Sequence, residues 1–364
     1  GMSYLVYPGA HHTRFHHAIG CMHLMKNAVQ VLRFKGVEIS EDEKNALYIA
    51  ILLHDIGHGP FSHAMEHSIV NGVSHEQISL LFMEKLNAEF NNDLTLAIKI
   101  FKGEYPRPFM CELISSQIDM DRADYLKRDS FYTGVAEGNI NSERLITMLN
   151  VKDNMLVIED KGIYSIEKFL VARRLMYWQV YLHKTSLTAE QLLIRVLKRA
   201  KELTKKGVNL PASKPLKYFL NEEIILNNFN IESLETFSKL DDYDIVSAMK
   251  AWQYHEDFIL KNLCDMIINR DLLKVKIKKK PIEASVLIQH KEELITKYSI
   301  SKAEADYFVF TGEISNQAYT RKKQGITILH KNGKTEDVVK ASDQLNLKAL
   351  AKPVTKYYIC YPKS

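Results

Sequence analysis

The chain has 364 residues, a length typical of two domains or of one domain with a large extension. Its 46% hydrophobic and 26% charged residues exclude collagen-like, low-complexity and disordered proteins. No apolar run is long enough to cross a membrane, and the N-terminus has no recognisable signal peptide. The four cysteines are widely spaced, so we expect a cytoplasmic protein without a cysteine metal site.

Charge is distributed unevenly, although the chain as a whole carries a net charge of +5. Residues 321–364 contain ten Lys or Arg and three Asp or Glu, which gives +7, so residues 1–320 sum to −2. A basic segment of this kind can bind phosphates or nucleic acid, or it can simply form a solvated surface. We therefore expect at most weak nucleic-acid binding by this C-terminal region.

Helical patterns dominate the first three quarters of the chain. Apolar residues recur at helical spacing over residues 20–36, and capping boxes at Ser40–Glu43 and Ser74–Gln77 predict the starts of two more helices. We expect further helices at 93–102, 110–129, 141–149, 165–204, 215–228, 231–239, 241–253 and 254–270. Residues 155–158, followed by Lys161-Gly162, predict a small hairpin within 151–165.

The pattern changes near residue 270, where Leu273, Val275 and Ile277 alternate with lysines at the period of a β-strand. Further strands are predicted at 308–310, at 326–329 before an Asn332-Gly333 turn, and at 354–361. The sequence therefore predicts a mainly α protein, with a helical domain at 1–270 and a smaller α+β domain at 271–364.

Histidines are concentrated near the N-terminus. Ten of the 14 lie within the first 75 residues, where an even distribution would place about three. Histidine is the commonest metal ligand, and its unperturbed charge changes near neutral pH. The excess indicates a functional site in this part of the chain.

The strongest signal is the adjacent pair His54-Asp55 near the end of an apolar helix. Neighbouring helical residues project about 100° apart, so both side chains can reach one ion beside the helix. Imidazole and carboxylate donors suit Mn, Fe, Ni, Zn or Mg better than a soft metal. The glycine-rich loop that follows, residues 57–63, is typical of a site rather than of a core.

Two other segments offer candidate ligands. Residues 8–17 contain paired histidines and Arg14, which is suited to binding phosphate. The second segment contains Asp119, Asp121 and Asp124, whose mutual repulsion would need a cation or arginines to offset it. On its own, this acidic segment is equally compatible with a solvated helix face.

Together these segments resemble the HD-domain phosphohydrolases, in the dNTP triphosphohydrolase branch that includes bacterial dGTPase-like enzymes and the vertebrate sterile-alpha-motif-plus-HD enzyme. The resemblance covers residues 4–205 well and the rest loosely. It implies an HD-domain helical bundle, hydrolysis of a dNTP to deoxynucleoside plus triphosphate, and a homo-oligomer. The motifs that carry it are Tyr7-Pro-Gly-Ala-x-His-x-Arg14-Phe-x-His17, His54-Asp-x-Gly-His-Gly-Pro-Phe-Ser-His63, Ser74-His75-Glu76-Gln77, Ile118-Asp-x-Asp-Arg-x-Asp-Tyr125, Arg173, and Tyr181-x-His183-Lys184.

The resemblance also implies a role for each matching residue. One divalent ion (Mn, Fe, Ni, Zn or Mg) would be held by His17, His54, Asp55 and Asp121. The catalytic groups around the scissile phosphate would be His58, His63, Glu66 and His75, with His63 the first choice for protonating the leaving oxygen. Substrate contacts would come from Arg14, Tyr125, Asp129, Arg173, Tyr181, His183 and Lys184. Arg144 matches a position at which some relatives bind an effector nucleotide.

Relatives in this family continue upstream of Tyr4 with a segment containing Arg-x-x-x-Gln-Leu-Gly, which this sequence lacks. That segment helps to recognise deoxyribose and contributes to the effector site, so we expect weaker sugar selectivity and effector control with an intact metal centre. Two alternatives stay open. One is an HD-type phosphodiesterase or 5′-nucleotidase, and the other is a nucleic-acid-binding protein with a vestigial metal site.

Overall fold

The structure is a computed structural model that describes residues 2–61, 63–66, 68, 70, 72–320, 325–343, 347 and 350–363, and of His63 the backbone alone. It is mainly helical with two small sheets, which confirms the predicted fold class. Its helices are α1 (Arg14–Phe34), α2 (Glu41–Leu53), α3 (His63–Glu66), α4 (His75–Glu89), α5 (Thr95–Phe101), α6 (Pro108–Ile114), α7 (Met120–Thr133), α8 (Ser142–Thr147), α9 (Ile163–Met176), α10 (Lys184–Lys205), α11 (Lys214–Asn221), α12 (Ile231–Phe237), α13 (Asp242–Trp252), α14 (Phe258–Ile268), α15 (Ala284–Tyr298), α16 (Lys302–Ala305) and α17 (Val338–Ala341).

The two predicted capping boxes begin helices as expected. Ser40 accepts a hydrogen bond from the backbone of Glu43 at the start of α2, and Ser74 does the same for Gln77 at the start of α4. Helix α1 begins six residues earlier than predicted, because Thr13 provides an N-cap ahead of the apolar repeat. This extra length brings His17 into a helix.

Several predicted helices are interrupted. The helix predicted at 110–129 is divided into α6 and α7, because Ser115 is extended and Asp119 caps a new helix. The helix predicted at 165–204 is α9 and α10 separated by a π-helical turn, Tyr177–Tyr181. Turns of this kind are frequent at functional sites, and apolar periodicity alone does not reveal them. The helix predicted at 215–228 ends at Asn221.

The predicted hairpin near residue 155 is present, but its turn precedes residues 155–158 and does not follow them. Strands β1 (Leu149–Lys152) and β2 (Met155–Glu159) pair around Asp153-Asn154. Both turn residues have positive φ angles, 52° and 63°, as a two-residue hairpin turn requires. Lys161-Gly162 instead belongs to a short 3₁₀ turn after β2.

Strands from the last quarter of the chain form parts of both sheets. One sheet has the order β1-β2-β5-β6, in which β5 (Thr327–Leu329) runs parallel to β2 and pairs antiparallel with β6 (Thr335–Asp337). The other has the order β3-β7-β4, from β3 (Lys274–Lys278), β7 (Val354–Tyr361) and β4 (Phe310–Asn316). In the first sheet, β1 and β2 come from the predicted domain 1–270, and β5 and β6 come from the predicted domain 271–364.

Buried apolar side chains form two clusters. One packs α1, α2, α7 and α9 together, and the other packs α10 against α11–α14 and the β3-β7-β4 sheet. The ends of α1, α2 and α7 that carry the motif residues adjoin the first cluster. No helix in the described part of the chain is long and apolar enough to span a bilayer. The basic region includes 321–324, 344–346, 348, 349 and 364, which lie outside the described residues.

Candidate metal centre and active site

Possible metal ligands from α1, the end of α2, the start of α4 and the start of α7 form two adjoining clusters. The donor atoms of His17, Cys21, His54 and Asp121 lie within 4.8 Å of one another, and those of Asp55, His58 and His75 do the same. The Nε2 atom of His17 lies 3.1 Å from Oδ1 of Asp121 and 3.9 Å from Oδ2 of Asp55. The Nε2 atom of His54 lies 3.5 Å from Oδ1 of Asp55 and 3.6 Å from Oδ1 of Asp121. Donor atoms that share one ion at roughly 2.0–2.2 Å lie about 3–4 Å apart. His17, His54 and Asp121 have this spacing, and Asp55 lies beside them with one oxygen toward each histidine.

The orientation of His54 shows that these residues fit a metal ion. Its Nδ1 atom donates a hydrogen bond to the carbonyl of Ile51 at 2.6 Å, which leaves Nε2 as the atom with a lone pair. That Nε2 atom is buried and has no hydrogen-bond partner among the described residues. Leaving a buried polar atom unpaired costs about 1–3 kcal/mol, and a bound cation would remove that cost.

A third carboxylate orients His17. Its Nδ1 atom donates to Oδ2 of Asp124 at 2.7 Å, and Arg128 holds Asp124 through two hydrogen bonds of 2.8 Å. This pair packs against Gly20, where a Cβ atom would lie only 2.0 Å from Asp124. Because Asp124 takes one ring nitrogen of His17, the other faces Asp121.

The three aspartates of the acidic segment have different functions. Asp119 is fully buried and caps α7, accepting from the backbone N–H groups of Ser116 and Arg122. Asp121 faces His17 and His54, and Asp124 supports His17. Of the three, only Asp121 faces both histidines, as the predicted ligand role requires. Burial opposes its ionisation, but the two histidines hold the pKa of Asp121 well below its usual range.

The negative charge of the centre also acts on the imidazoles. Burial disfavours a charged ring, but hydrogen bonds to Asp121 and Asp124 raise the pKa of His17 to about 12. The pKa of Asp55 is lowered, since His54, His58 and Arg14 outweigh the effect of its burial. The carboxylates around His17 therefore favour a positive charge between His17 and Asp121.

Gly57 allows α4 to approach the backbone that carries His54 and Asp55 closely. Its N–H donates to Oγ of Ser79 at 2.9 Å, and that hydroxyl donates to the carbonyl of His54 at 2.9 Å. A Cβ atom at position 57 would lie 2.2 Å from the carbonyl oxygen of His75. A glycine is needed here because no side chain fits between the two backbones.

A stacked pair of histidines lies beside Asp55. The rings of His58 and His75 are 3.8 Å apart and nearly parallel, and His58 Nε2 is 3.6 Å from Asp55 Oδ1. Glu66 accepts from both the backbone N–H of His75, at 3.0 Å, and its Nδ1, at 2.7 Å. The structure therefore brings three of the four predicted catalytic residues together. The side chain of the fourth, His63, lies outside the described residues.

Arg14 extends the site on its exposed side. Its Nη1 atom donates to Oδ2 of Asp55 at 2.5 Å, which places a guanidinium next to the predicted metal. A cation there can bind an anionic group of a substrate.

Asp129 connects a second group of predicted residues. Its carboxylate accepts from the hydroxyl of Tyr181 at 2.5 Å and from Nε2 of His12 at 2.7 Å. The ring of Tyr181 meets that of Tyr125 edge to face at 6.0 Å. Burial raises the pKa of both tyrosines well above the usual value, so both phenols stay protonated and can donate hydrogen bonds.

Comparison with known proteins agrees with this geometry. The HD domain family matches residues 14–129, and the HD associated region matches residues 140–210. An uncharacterized protein of Bacillus subtilis is 31% identical over 100% of this chain and 84% of its own length. The chain belongs to the HD-domain family of phosphohydrolases.

Two further relatives extend this result. One is a phosphohydrolase from Bacteroides thetaiotaomicron whose crystal structure superposes on this chain with a TM-score of 0.96. The two sequences are 52% identical, and the match covers 100% of this chain and 91% of the phosphohydrolase chain. The deoxynucleoside triphosphate triphosphohydrolase SAMHD1 homolog of Dictyostelium discoideum is 29% identical over 56% of this chain and 43% of its own length. The chain is thus similar to the dNTP triphosphohydrolase branch of the HD family, as the sequence motifs indicate.

In the HD associated region, one more predicted residue lies near Tyr125. Arg173 is buried at the end of α9, and its Nη1 donates to the carbonyl of Ala318 at 3.2 Å. Its guanidinium, like that of Arg122, opposes the rise in the pKa of Tyr125, which places both arginines near that phenol. The Nε atom of Arg173 has no partner among the described residues.

Three predicted residues, His183, Lys184 and Arg144, have no contact described above with the metal centre or with the Tyr125–Asp129–Tyr181 group. His183 caps α10 by accepting from Thr185, and Lys184 is exposed and lines a separate cavity of about 320 Å³ beside Arg270. Arg144 is exposed on α8. Roles for these residues in substrate or effector binding stay predictions from the resemblance.

Cys21 and His12 contact predicted site residues, although the sequence gives neither of them a role. The buried thiol of Cys21 lies 3.5 Å and 3.6 Å from the ring nitrogens of His17, and burial raises its pKa to about 12, so it is a neutral thiol. Its i+4 spacing from His17 was an available signal. The contact of His12 with Asp129 joins residues 117 apart, and no local pattern reveals it.

Proposed function

We propose that this HD phosphohydrolase cleaves a dNTP into deoxynucleoside and triphosphate. The observation that carries the proposal is the convergence of His17, His54, Asp55 and Asp121 around the unpaired Nε2 atom of His54. In the proposed reaction, water attacks the α-phosphorus, the bond from that phosphorus to O5′ breaks, and O5′ takes up a proton. The triphosphate then carries the oxygen that came from water.

The four ligands would hold one divalent ion between two imidazoles and two carboxylates. Such an ion, when bound, polarises a phosphoryl oxygen and lowers the pKa of a coordinated water. Two carboxylates nearly balance its charge. The carbonyl of Ile51 and the carboxylate of Asp124 would hold the two imidazoles in the tautomers that metal binding needs.

Arg14 would bind the phosphate chain. Its guanidinium now contacts Asp55 and is exposed, so its own charge stays hydrated when the side chain turns to a substrate oxygen. Arginine presents two parallel N–H groups that match a phosphate edge.

His58 and His75 would supply the proton that the leaving O5′ takes up. Glu66 fixes Nδ1 of His75, which directs the other ring nitrogen away from Glu66. A positioned imidazole can give a proton to the leaving O5′. His63 keeps the role that the resemblance implies, as a second candidate for the same step.

Tyr125, Asp129 and Tyr181 would contact the nucleoside. They lie together, and Tyr125 is close enough to Asp121 for that carboxylate to raise its pKa. The similarity to a protein named as a deoxynucleoside triphosphate triphosphohydrolase supports this choice of substrate. A homo-oligomer and an effector nucleotide near Arg144 belong to the same proposal.

A product assay tests the proposed function. The purified protein is incubated with each dNTP, with GTP beside dGTP, and with Mn²⁺ or Mg²⁺, and the phosphate products are resolved. We expect triphosphate and deoxynucleoside in equal amounts. Pyrophosphate with a nucleoside monophosphate would overturn the proposal, and hydrolysis of monophosphates alone would favour the 5′-nucleotidase alternative. The vestigial-site alternative predicts no turnover but nucleic-acid binding that falls steeply with salt.

A further inference from the structure

A cavity of about 670 Å³ lies against α10, and none of the proposed metal ligands lines it. We call it the α10 cavity. Gln191, Arg195 and Lys198 of α10 line it, and these three positions share one face of a helix. The rest of the wall consists of Glu66, Gly72, Ile194, Asp306 and Tyr307. A volume of this size is in the range of small-molecule sites, roughly 300–1,000 Å³.

Arg195 is the unusual residue in this wall. Its guanidinium stacks on the ring of Phe310 at 3.2 Å and donates to the backbone and side-chain oxygens of Gln191. No carboxylate lies within ion-pair distance of it in the described part of the chain. Burial lowers the pKa of Arg195 to about 10, because the groups near the guanidinium do not offset its loss of hydration.

Both acidic groups in the wall already have partners. Asp306 pairs with Lys291 at 2.6 Å, and Glu66 accepts from His75 at 2.7 Å. Lys198 is exposed at the edge of the cavity and adds a second positive charge. The cavity therefore offers an uncompensated arginine, a lysine and an amide to an anion.

We propose that the α10 cavity binds a phosphate-bearing anion through Arg195, Lys198 and Gln191. Guanidinium groups bind phosphate oxygens in pairs, and a stacked, partly buried guanidinium is already held in place for that purpose. The anion has two possible sources, a free polyphosphate or the polyphosphate chain of a nucleotide, whose base could contact Tyr307. The proposal does not depend on the reaction at the metal centre.

Calorimetric titration of a His54→Ala protein tests this site with the metal centre disabled. Tripolyphosphate and dGTP are titrated into that protein and into versions that also carry Arg195→Met or the matched control Lys206→Met. Arg195→Met keeps a long apolar side chain against Phe310, whereas Lys206 is an exposed lysine just beyond α10. We expect Arg195→Met to weaken anion binding at least tenfold and Lys206→Met to change it less than twofold.

The proposal would be overturned if Arg195→Met and Lys206→Met weakened anion binding equally, or if the His54→Ala protein bound neither probe. If Arg195→Met does not fold, Lys198→Ser at the exposed edge replaces it, with the same expected direction and the same contradicting result. Tighter binding of dGTP that Tyr307→Ala removes would identify a nucleotide, and equal binding of both probes would identify the polyphosphate chain. Because turnover is not measured, failure here leaves the product assay unaffected.

Discussion

The two ring nitrogens of His17 are held by two carboxylates, with Nδ1 2.7 Å from Asp124 and Nε2 3.1 Å from Asp121. Asp121 faces the proposed metal, whereas Asp124 is fixed from behind by Arg128. An imidazole between a supporting carboxylate and a metal is a stronger and better oriented ligand than an imidazole alone. We therefore expect the metal affinity of this HD domain to depend on Asp124, a residue that does not face the proposed metal.

Asp124→Asn should weaken metal binding by about 10–100-fold, because the supporting charge is lost while the size of the side chain is kept. Affinity is measured by competition with a chelator. Asp93→Asn is the control, since Asp93 is exposed and distant in sequence from every ligand. Equal affinities for the two variants would show that Asp124 does not support His17.

His75→Ala should keep its bound metal but lose rate by about 10²–10⁴-fold, since a proton donor and not a ligand is removed. His63→Ala is assayed beside it, because the resemblance assigns the same step to His63. The control is His23→Ala, an exposed histidine whose ring contacts Asn27. If His75→Ala hydrolysed dNTPs at the wild-type rate, His75 would not be the proton donor, and His63 or His58 would be assigned that step.

Residues with local signals could be placed from the sequence. The capping boxes at Ser40 and Ser74 correctly predicted the starts of α2 and α4. The His54-Asp55 pair with its glycine-rich loop predicted where the candidate metal centre lies. Asp119, Asp121 and Asp124 could not be separated, because three carboxylates within six residues look alike until the start of α7 is known. Once Asp119 is known to cap α7, the helical geometry fixes the directions in which the side chains of Asp121 and Asp124 project.

Contacts between distant segments could not be predicted. The π-helical turn at Tyr177–Tyr181 interrupts an apolar pattern that continues across it, and it carries the tyrosine that binds Asp129. The α10 cavity combines α10 with residues 66 and 306–307, and nothing in any one of these segments indicates the others. Tertiary packing, and not local propensity, decides such contacts.

A buried carboxylate near the start of α2 predicts a pH dependence of stability. Glu43 accepts from Tyr105, Arg107 and the backbone of Ser40, and these bonds outweigh burial and lower its pKa. Because the pKa is lower in the folded state, the stabilisation is present above the unfolded value of 4.5 and is lost as pH falls through the folded value.

Glu43→Gln should therefore destabilise the protein by about 1–3 kcal/mol at pH 7, and the difference should narrow below pH 4. Urea unfolding followed by circular dichroism measures it at both pH values. Glu84→Gln, at an exposed position of α4, is the matched control. A difference that does not change with pH would contradict the assigned pKa shift.

Gly57→Ala should lower both activity and thermal stability, because the new Cβ would press on backbone atoms of His75 and Ser79 at 2.2 Å and 2.3 Å. The expected cost is about 1–3 kcal/mol. Gly59→Ala is the comparison, since its Cβ would meet only side-chain atoms of Met65 and Phe237 at 3.0 Å. We expect the smaller effect there, and equal effects on melting temperature and rate would be inconsistent with a backbone contact at Gly57.

The most direct test of the central claim counts bound metal and turnover in the same preparations. Elemental analysis and dNTP hydrolysis are measured for the wild type, His54→Ala, Asp55→Ala and the control Asp93→Ala, with circular dichroism to confirm that each is folded. The account predicts about one divalent ion per chain in the wild type and the control, and loss of both metal and hydrolysis in the two ligand variants. Unchanged metal content in His54→Ala and Asp55→Ala would contradict it.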